Sequence, residues 1–267
     1  MSAAMKLSCP EYYLVGASFE EKLLFLRKVG FDAVEVSNQD LRSRRGTILE
    51  ALRNQAVAVS ALWGLVRGCA SSSVEKRQAA IEDLEFAFEF AAECGAGKVV
   101  CIDHCLAPGE DAGSAMKHFR ESARQAAEAA AKLGVVLAVE PLSWRDRAMI
   151  AHTEDGLRLC REVPSPGLRL NLDTYHMAVG GEDPVKSFDR GLPYAAHIHF
   201  SDYVPPPTNP KRPLPGEGQV DFEGCIAVLR KHGYSGFICV EGTSLRPGPP
   251  DAQLGATVKY VRALLAS

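Results

Sequence analysis

Short apolar runs alternate with longer segments of helical periodicity along the whole chain. The short runs predict eight β-strands, at 6–9, 33–36, 57–62, 98–103, 135–140, 168–173, 195–200 and 236–241. The longer segments predict eight helices, at 18–29, 41–55, 74–94, 114–133, 153–162, 184–190, 221–232 and 251–265. Strict alternation of strands and helices is typical of parallel sheets whose strands are joined by helical crossovers.

Eight such βα units favour a closed (β/α)8 barrel, the TIM barrel, that forms one domain over residues 1–267. The chain has 267 residues, and a TIM barrel takes about 250. The alternative is an open doubly wound sheet, which usually carries a glycine-rich turn after its first strand. Here the first strand is followed by Pro10-Glu-Tyr12, which is no such turn, so the closed barrel is the better interpretation.

The composition is that of an ordinary globular protein and argues against two classes of partner. The formal net charge is -3, which provides no basic surface for nucleic acid. There is no run of about 18 apolar residues that would predict a membrane span, and the first residues lack the apolar core of a signal peptide. The eight cysteines show no paired spacings, so we expect reduced thiols and a cytoplasmic protein.

Polar side chains close four successive predicted strands. They are Glu140, Asp173, His199 and Glu241, at the ends of strands five to eight, and His176 follows Asp173 by three residues. A TIM barrel assembles its active site at the carboxyl ends of its strands. Carboxylates and imidazoles buried there must find partners, and a divalent cation binds both. The sequence therefore predicts a metal-dependent enzyme.

Several segments around these residues resemble the xylose-isomerase-like barrels, the superfamily of sugar isomerases, epimerases and apurinic-endonuclease-like enzymes. The segments are Phe31-Asp-Ala-Val-Glu-Val36, Val139-Glu-Pro-Leu142, Leu172-Asp-Thr-Tyr-His-Met177, His197-Ile-His-Phe-Ser-Asp202, Pro215-Gly-Glu-Gly-x-x-Asp221-Phe222 and Val240-Glu241. The third and the fifth are the most specific, and they are closest to the ketose 3-epimerases and hydroxypyruvate isomerases. The resemblance covers nearly the whole chain and implies the same barrel.

The resemblance also implies a cofactor and a mechanism. One divalent ion would be held by Glu140, Asp173, His199 and Glu241, with manganese the first choice and magnesium, cobalt and zinc as alternatives. Glu140 and Glu241 would form the acid/base pair that moves a proton beside the substrate carbonyl, through a metal-bound cis-enediolate. His176 would hydrogen-bond a substrate oxygen.

Two positions depart from the pattern of the ketose 3-epimerases. Their substrate-binding glutamate, six residues after the first metal glutamate, corresponds to Asp146. Their arginine, six residues after the metal histidine, corresponds to Pro205, so Lys211 or Arg212 on the proline-rich loop would have to replace it. These changes affect substrate contacts and leave the metal ligands intact.

Further residues near strand ends are candidates with structural alternatives. Glu35, His104 and Trp63 are expected to contact substrate; the alternatives are a backbone contact for Glu35 and core packing for Trp63. We expect His197 to point to the opposite face of its strand from His199, into the core or behind the metal site. Asp202 is expected to orient a loop or a ligand.

The predicted function is a metal-dependent isomerase or epimerase that acts on a small ketose or hydroxy-keto acid. A lyase or dehydratase on the same scaffold, acting on an inosose, dehydroshikimate or keto-glycoside, is the alternative, because both reactions begin by removing a proton beside a carbonyl. We expect a small carbohydrate as the partner, with no nucleic acid and no membrane. A homo-oligomer is expected by analogy with relatives.

Overall fold

Eight parallel strands close into one barrel. The computed structural model describes residues 5–64, 66–101, 103–106, 109–209, 211–242, 245 and 248–267. The strands are β1 Lys6–Pro10, β2 Ala33–Ser37, β3 Ala58–Gly64, β4 Lys98–Cys101, β5 Val136–Val139, β6 Leu168–Asp173, β7 Ala195–Phe200 and β8 Phe237–Val240. Each strand pairs with the next in sequence, and β8 pairs with β1. The predicted (β/α)8 barrel is confirmed.

Helices connect the strands on the outside of the barrel. They are α1 Phe19–Val29, α2 Leu41–Gln55, α3 Val74–Glu93, α4 Ala112–Lys132, α5 Thr153–Glu162, α6 Thr174–Val179, α7 Pro184–Gly191, α8 Phe222–Lys231 and α9 Pro250–Ala266. None of the helices in the described ranges is long and apolar enough to cross a membrane.

One α-helix among the described residues was not predicted from the sequence, and it lies at the candidate site. α6 begins directly after β6, and Asp173 is both the last residue of the strand and the N-cap of the helix. The Asp173 side chain accepts hydrogen bonds from the backbone N–H groups of Tyr175 and His176. A helix of six residues shows too little periodicity to be separated from the strand that precedes it.

The predicted strand ends also shift by one or two residues. β4, β5 and β8 end at Cys101, Val139 and Val240, so that Glu140 and Glu241 are the first residues beyond their strands. Ile102, which was predicted to lie in the fourth strand, is outside the described residues. Such shifts are common because the hydrophobic pattern of a sequence does not define the last residues of a strand or helix.

Two layers of packing hold the barrel. The larger lies between the strands and the helices, where Phe200 of β7 packs against Phe188 of α7 and Phe222 of α8 with ring-centroid distances of 6.2 and 4.9 Å. The smaller fills the barrel interior around Ala61, Val100 and Ala138. Above this narrow apolar layer the interior is polar, and the candidate site begins there.

We expect Phe200→Ala to lower the free energy of unfolding by about 3–5 kcal/mol, because it empties a fully buried contact between β7 and two helices. Leu24→Ala is the control, since Leu24 of α1 is 51% exposed; its effect should stay within about 0.5 kcal/mol. Urea unfolding monitored by circular dichroism measures both. Equal losses in the two variants would contradict this account of the core.

Candidate metal centre

Four predicted ligands meet at the carboxyl end of the barrel. Glu140, Asp173, His199 and Glu241 each offer one ligand atom, and these atoms all lie within 4.8 Å of one another. All four side chains are buried. They lie at the ends of β6 and β7 or directly after β5 and β8, so four neighbouring strands build one side of the barrel mouth.

The two ring nitrogens of His199 face different groups. Nδ1 lies 2.8 Å from Glu241 Oε2, 3.4 Å from Glu140 Oε1 and 3.7 Å from Asp173 Oδ2. Nε2 lies 3.2 Å from both carboxylate oxygens of Glu35, deeper in the barrel. His199 therefore presents Nδ1 to the three carboxylates at the mouth.

The residues of this cluster fit a divalent cation. His199 Nδ1 and Glu140 Oε1 are buried and make no well-aligned hydrogen bond, although Nδ1 lies 2.8 Å from Glu241 Oε2. A buried polar atom without a hydrogen bond is unfavourable by about 1–3 kcal/mol, and a cation between the two atoms would satisfy both. One imidazole and three carboxylates suit manganese, magnesium, cobalt or zinc.

The electrostatics of the cluster show a surplus of negative charge. Burial raises the pKa of Glu140 to about 7, and the charges of Asp173 and Glu241 add to the effect. Burial also acts on Asp173 and Glu241, but Arg212 and His199 together outweigh it and hold the pKa of both carboxyls below their usual values. The site needs positive charge, from a side chain or from a metal ion.

Arg212 reaches into the cluster from the proline-rich loop. Its Nη2 donates to Glu241 Oε2 at 2.7 Å and also to Asp173 Oδ2, and its Nε donates to Ser201 Oγ at 3.1 Å. The guanidinium lies 5.0 Å from the ring centroid of Tyr175. Of the two residues that the sequence offered in place of an arginine at Pro205, Arg212 lies at the site and Lys211 is exposed.

Asp202 holds the loop that carries Arg212, in agreement with its expected role. Its carboxylate accepts four backbone hydrogen bonds, from Tyr203, Gly216, Gly218 and Val220. A Cβ at Gly218 would lie 2.4 Å from Asp202 Oδ1, so only glycine allows this close approach. One carboxylate thereby fixes both ends of the loop.

His176 and Asp146 lie together beside the four ligands. His176 Nδ1 accepts a hydrogen bond from the backbone N–H of Ser143 at 3.1 Å, so in the neutral ring Nε2 carries the proton. Asp146 Oδ2 lies 3.7 Å from His176 Nδ1 and accepts a hydrogen bond from Ser143 Oγ. The structure brings these two predicted substrate-binding residues to one place.

Trp63 lies at the edge of the site and His104 lies beneath it. The Trp63 ring is 5.9 Å from the ring of Tyr12, and Trp63 also lines a cavity of about 740 Å³ that is bordered by residues following β2 and β3. His104 is fully buried, with Nε2 2.7 Å from the backbone oxygen of Glu140. The geometry gives His104 a structural contact and lends no support to its predicted contact with substrate.

The contacts of Glu35 show how His197 and His199 are oriented in β7. His197 Nε2 lies 3.2 Å from Glu35 Oε2, and His199 Nε2 lies 3.2 Å from the same oxygen. Both rings therefore point into the barrel. The expectation that they face opposite sides was wrong, because residues two apart in a strand share a face. Glu35 lies in the middle of β2, 1% exposed, where a substrate contact has no support.

Sequence reasoning missed Tyr12. This residue lies in the 3-10 helix Glu11–Tyr13 after β1 and donates its hydroxyl hydrogen to Glu241 Oε1 at 3.0 Å. Tyr12 as a whole is 46% exposed, but loss of water around its hydroxyl, and then the negative charge of Glu241, raise the pKa of this phenol far above its usual value. Its position just beyond the first strand, on the functional side of the barrel, was the available indication.

The chain belongs to the family described as "Xylose isomerase-like TIM barrel", whose sequence profile matches residues 23–264. This confirms the resemblance on which the ligand set was proposed. Membership defines the barrel and its superfamily, while the reaction depends on the site.

Two curated relatives are sugar epimerases. A 3-dehydro-D-guloside 4-epimerase from Escherichia coli K12 is 23% identical over 259 residues, covering 93% of this chain and 96% of that protein. An L-ribulose-5-phosphate 3-epimerase from Escherichia coli strain SMS-3-5 is 24% identical over 267 residues, covering 94% and 91%. These relatives support an isomerase-type enzyme.

Solved structures share the fold at low identity. A 3-keto-D-glucoside 4-epimerase from E. coli superimposes with a TM-score of 0.84 at 22% identity, covering 97% of this chain and 99% of that chain. A probable 3-DHS dehydratase from Bacillus anthracis superimposes with a TM-score of 0.77 at 20% identity, covering 97% and 99%. Epimerase and dehydratase therefore occur on one fold, and the fold alone does not separate them.

We expect Arg212→Gln to destabilise the metal-free protein by roughly 3 kcal/mol, because it leaves Asp173 and Glu241 buried without their cation. Urea unfolding in the presence of a chelator measures the change. Lys211→Gln is the matched control: it removes a positive charge from the adjacent, exposed position and should change stability by less than about 0.5 kcal/mol. If both variants unfold like the parent, Arg212 does not neutralise the cluster.

Proposed function

We propose that this protein is a divalent-metal-dependent epimerase or isomerase that acts on a small ketose or hydroxy-keto acid. The proposal rests on the pair of glutamates in the ligand cluster, where the buried Nδ1 of His199 and the buried Oε1 of Glu140 make no well-aligned hydrogen bond. The naming of both curated relatives as sugar epimerases supports the reaction class.

Glu140, Asp173, His199 and Glu241 would hold the ion, with manganese the first choice. When bound, the ion would stabilise the negative charge that develops on the carbonyl oxygen of the substrate. Without such stabilisation, a proton beside a ketone is too weakly acidic for a carboxylate base. The metal is therefore a requirement of the proposed chemistry.

Glu140 and Glu241 are suited to handle a proton from two sides. They follow β5 and β8, and β6 and β7 lie between these strands in the barrel. A substrate carbon between them would lose its proton to one carboxylate and receive a proton from the other on the opposite face. Tyr12 binds Glu241 Oε1 and restricts the rotation of that carboxylate. Removal on one face and return on the other inverts the carbon, which is epimerisation.

His176, Asp146, Arg212 and Trp63 are the proposed substrate-binding residues. His176 offers an N–H donor at Nε2, because Nδ1 accepts from Ser143. Asp146 is partly exposed beside it and can accept hydrogen bonds from hydroxyl groups. Arg212 brings a guanidinium to the mouth of the site. Donors and acceptors on three sides suit a polyhydroxylated substrate.

Experiments are needed to identify the substrate and to distinguish an epimerase from a dehydratase. The relatives are named for a keto-glycoside and for a phosphorylated ketose, so both belong in a substrate panel. Arg246 follows β8, where barrels often bind phosphate, but it lies outside the described residues. A dehydratase would use the same first proton transfer and then lose water.

We expect proton NMR in deuterium oxide to show deuterium entering the substrate beside the carbonyl. The protein would be loaded with Mg²⁺ and tested with ketohexoses, ketopentoses, hydroxypyruvate, inososes, a 3-keto-glycoside and L-ribulose 5-phosphate. Label at carbon 3 of a ketose indicates 3-epimerisation, and label at carbon 1 or 2 indicates aldose–ketose isomerisation. Loss of water supports the dehydratase instead. No exchange in any compound, with one metal ion bound per chain, would overturn the proposal.

We expect Glu241→Gln to lower turnover at least 100-fold, because the amide keeps the shape of the side chain but removes a base. Metal content, measured by plasma mass spectrometry, separates loss of the base from loss of the ion. Glu223→Gln, at an exposed position in the first turn of α8, is the control and should retain full turnover. Turnover within a few-fold of the parent in Glu241→Gln would remove Glu241 from the acid/base role.

A further inference from the structure

We propose that Glu35 is a positioning residue that fixes the ring orientation and the tautomer of His199, so that Nδ1 is the nitrogen presented to the metal ion. The inference rests on the proposed metal site. It replaces the expectation that Glu35 binds substrate. It also gives a role to a carboxylate that takes no part in the proposed proton transfer.

Glu35 is placed for this contact by the barrel itself. It lies in the middle of β2, next to Ala61 of β3 in the sheet register, and its side chain crosses the interior to β7. Because Ala61 is small, the carboxylate has room to lie inside the barrel. Both its oxygens are 3.2 Å from His199 Nε2, and Oε2 is also 3.2 Å from His197 Nε2. The side chains of all three residues are fully buried.

The chemistry of these contacts determines where the protons lie. An ionised carboxylate only accepts hydrogen bonds, so the ring nitrogen that faces it must carry a proton. In neutral His199 the proton is then on Nε2, and the lone pair is on Nδ1, among Glu140, Asp173 and Glu241. Metal-binding histidines generally donate their second N–H to a carboxylate or carbonyl in this way.

His197 completes the arrangement from the other side. Its Nε2 faces the same carboxylate, so Glu35 can receive two N–H donors from rings that are 5.2 Å apart and nearly perpendicular. Two donors fix the carboxylate more firmly than one, and a fixed carboxylate fixes the His199 ring. Through Glu35, His197 also helps to position His199.

A competing role for Glu35 would be direct metal binding. Glu35, His197, His199 and Cys239 also offer ligand atoms within 4.8 Å of one another. An ion there would need the lone pair of His199 Nε2, while an ion at the mouth needs the lone pair of Nδ1. A neutral imidazole has only one of these lone pairs. Because two carboxylate oxygens already lie within hydrogen-bond distance of Nε2, we infer one ion, at the mouth.

The first test compares the affinity of two variants for a metal ion. We expect Glu35→Gln to weaken binding of Mn²⁺ about 10- to 100-fold in calorimetric titrations of the metal-free protein. A change in the visible absorption of the Co²⁺ form would accompany it, since that spectrum reports ligand geometry. His197→Gln is the control: it alters the Glu35 environment but leaves the contact between Glu35 and His199, so its effect should be clearly smaller.

The second test uses the parent protein and does not depend on whether a variant folds. Long-range proton–nitrogen NMR of the ¹⁵N-histidine-labelled, Zn²⁺-loaded protein should show His199 with a proton on Nε2 and none on Nδ1. A proton on Nδ1 would overturn the inference.

The outcomes separate this inference from the proposed function. If the parent binds no divalent ion, the proposed function fails, and the inference fails with it. If the parent binds one ion and Glu35→Gln binds it equally tightly with an unchanged Co²⁺ spectrum, only the inference fails. If the parent binds two ions and Glu35→Gln binds one, Glu35 is a ligand and the positioning role is wrong.

Discussion

The candidate site is built around three carboxylates and one imidazole that are buried at a single end of the barrel. Like charges at these distances repel, and burial deprives them of water. Arg212 lies across Asp173 and Glu241 and neutralises part of this charge, while His199 Nδ1 and Glu140 Oε1 make no well-aligned hydrogen bond. An arrangement of this kind is unfavourable for folding alone, which is why it indicates a function.

Supporting contacts hold this cluster from above and below. Above, Asp202 gathers four backbone N–H groups of the proline-rich loop and so places Arg212. Below, Glu35 faces His199 from the barrel interior. The cluster is thus built from strand ends, which are rigid, and adjusted by one loop and one interior carboxylate. Precise catalytic geometry depends on such support.

Much of this could be predicted from the sequence, because strands and helices differ in period and the family motifs lie at strand ends. The four predicted ligands lie close together because each ends or directly follows one of four successive parallel strands. Two local predictions were wrong or missing. Helix α6 was too short to show a helical period, and His197 and His199 were assigned to opposite faces of their strand. The inward path of Glu35 and the choice of Arg212 over Lys211 depend on tertiary contacts, which a single sequence does not display.

The central claim is that the four strand-end residues hold one divalent ion. Anomalous diffraction at the manganese edge, from crystals grown with Mn²⁺, tests it most directly. We expect one strong peak bounded by Glu140, Asp173, His199 Nδ1 and Glu241, with Arg212 moved away from the carboxylates. A peak among Glu35, His197 and Cys239, or no peak inside the barrel, would contradict it.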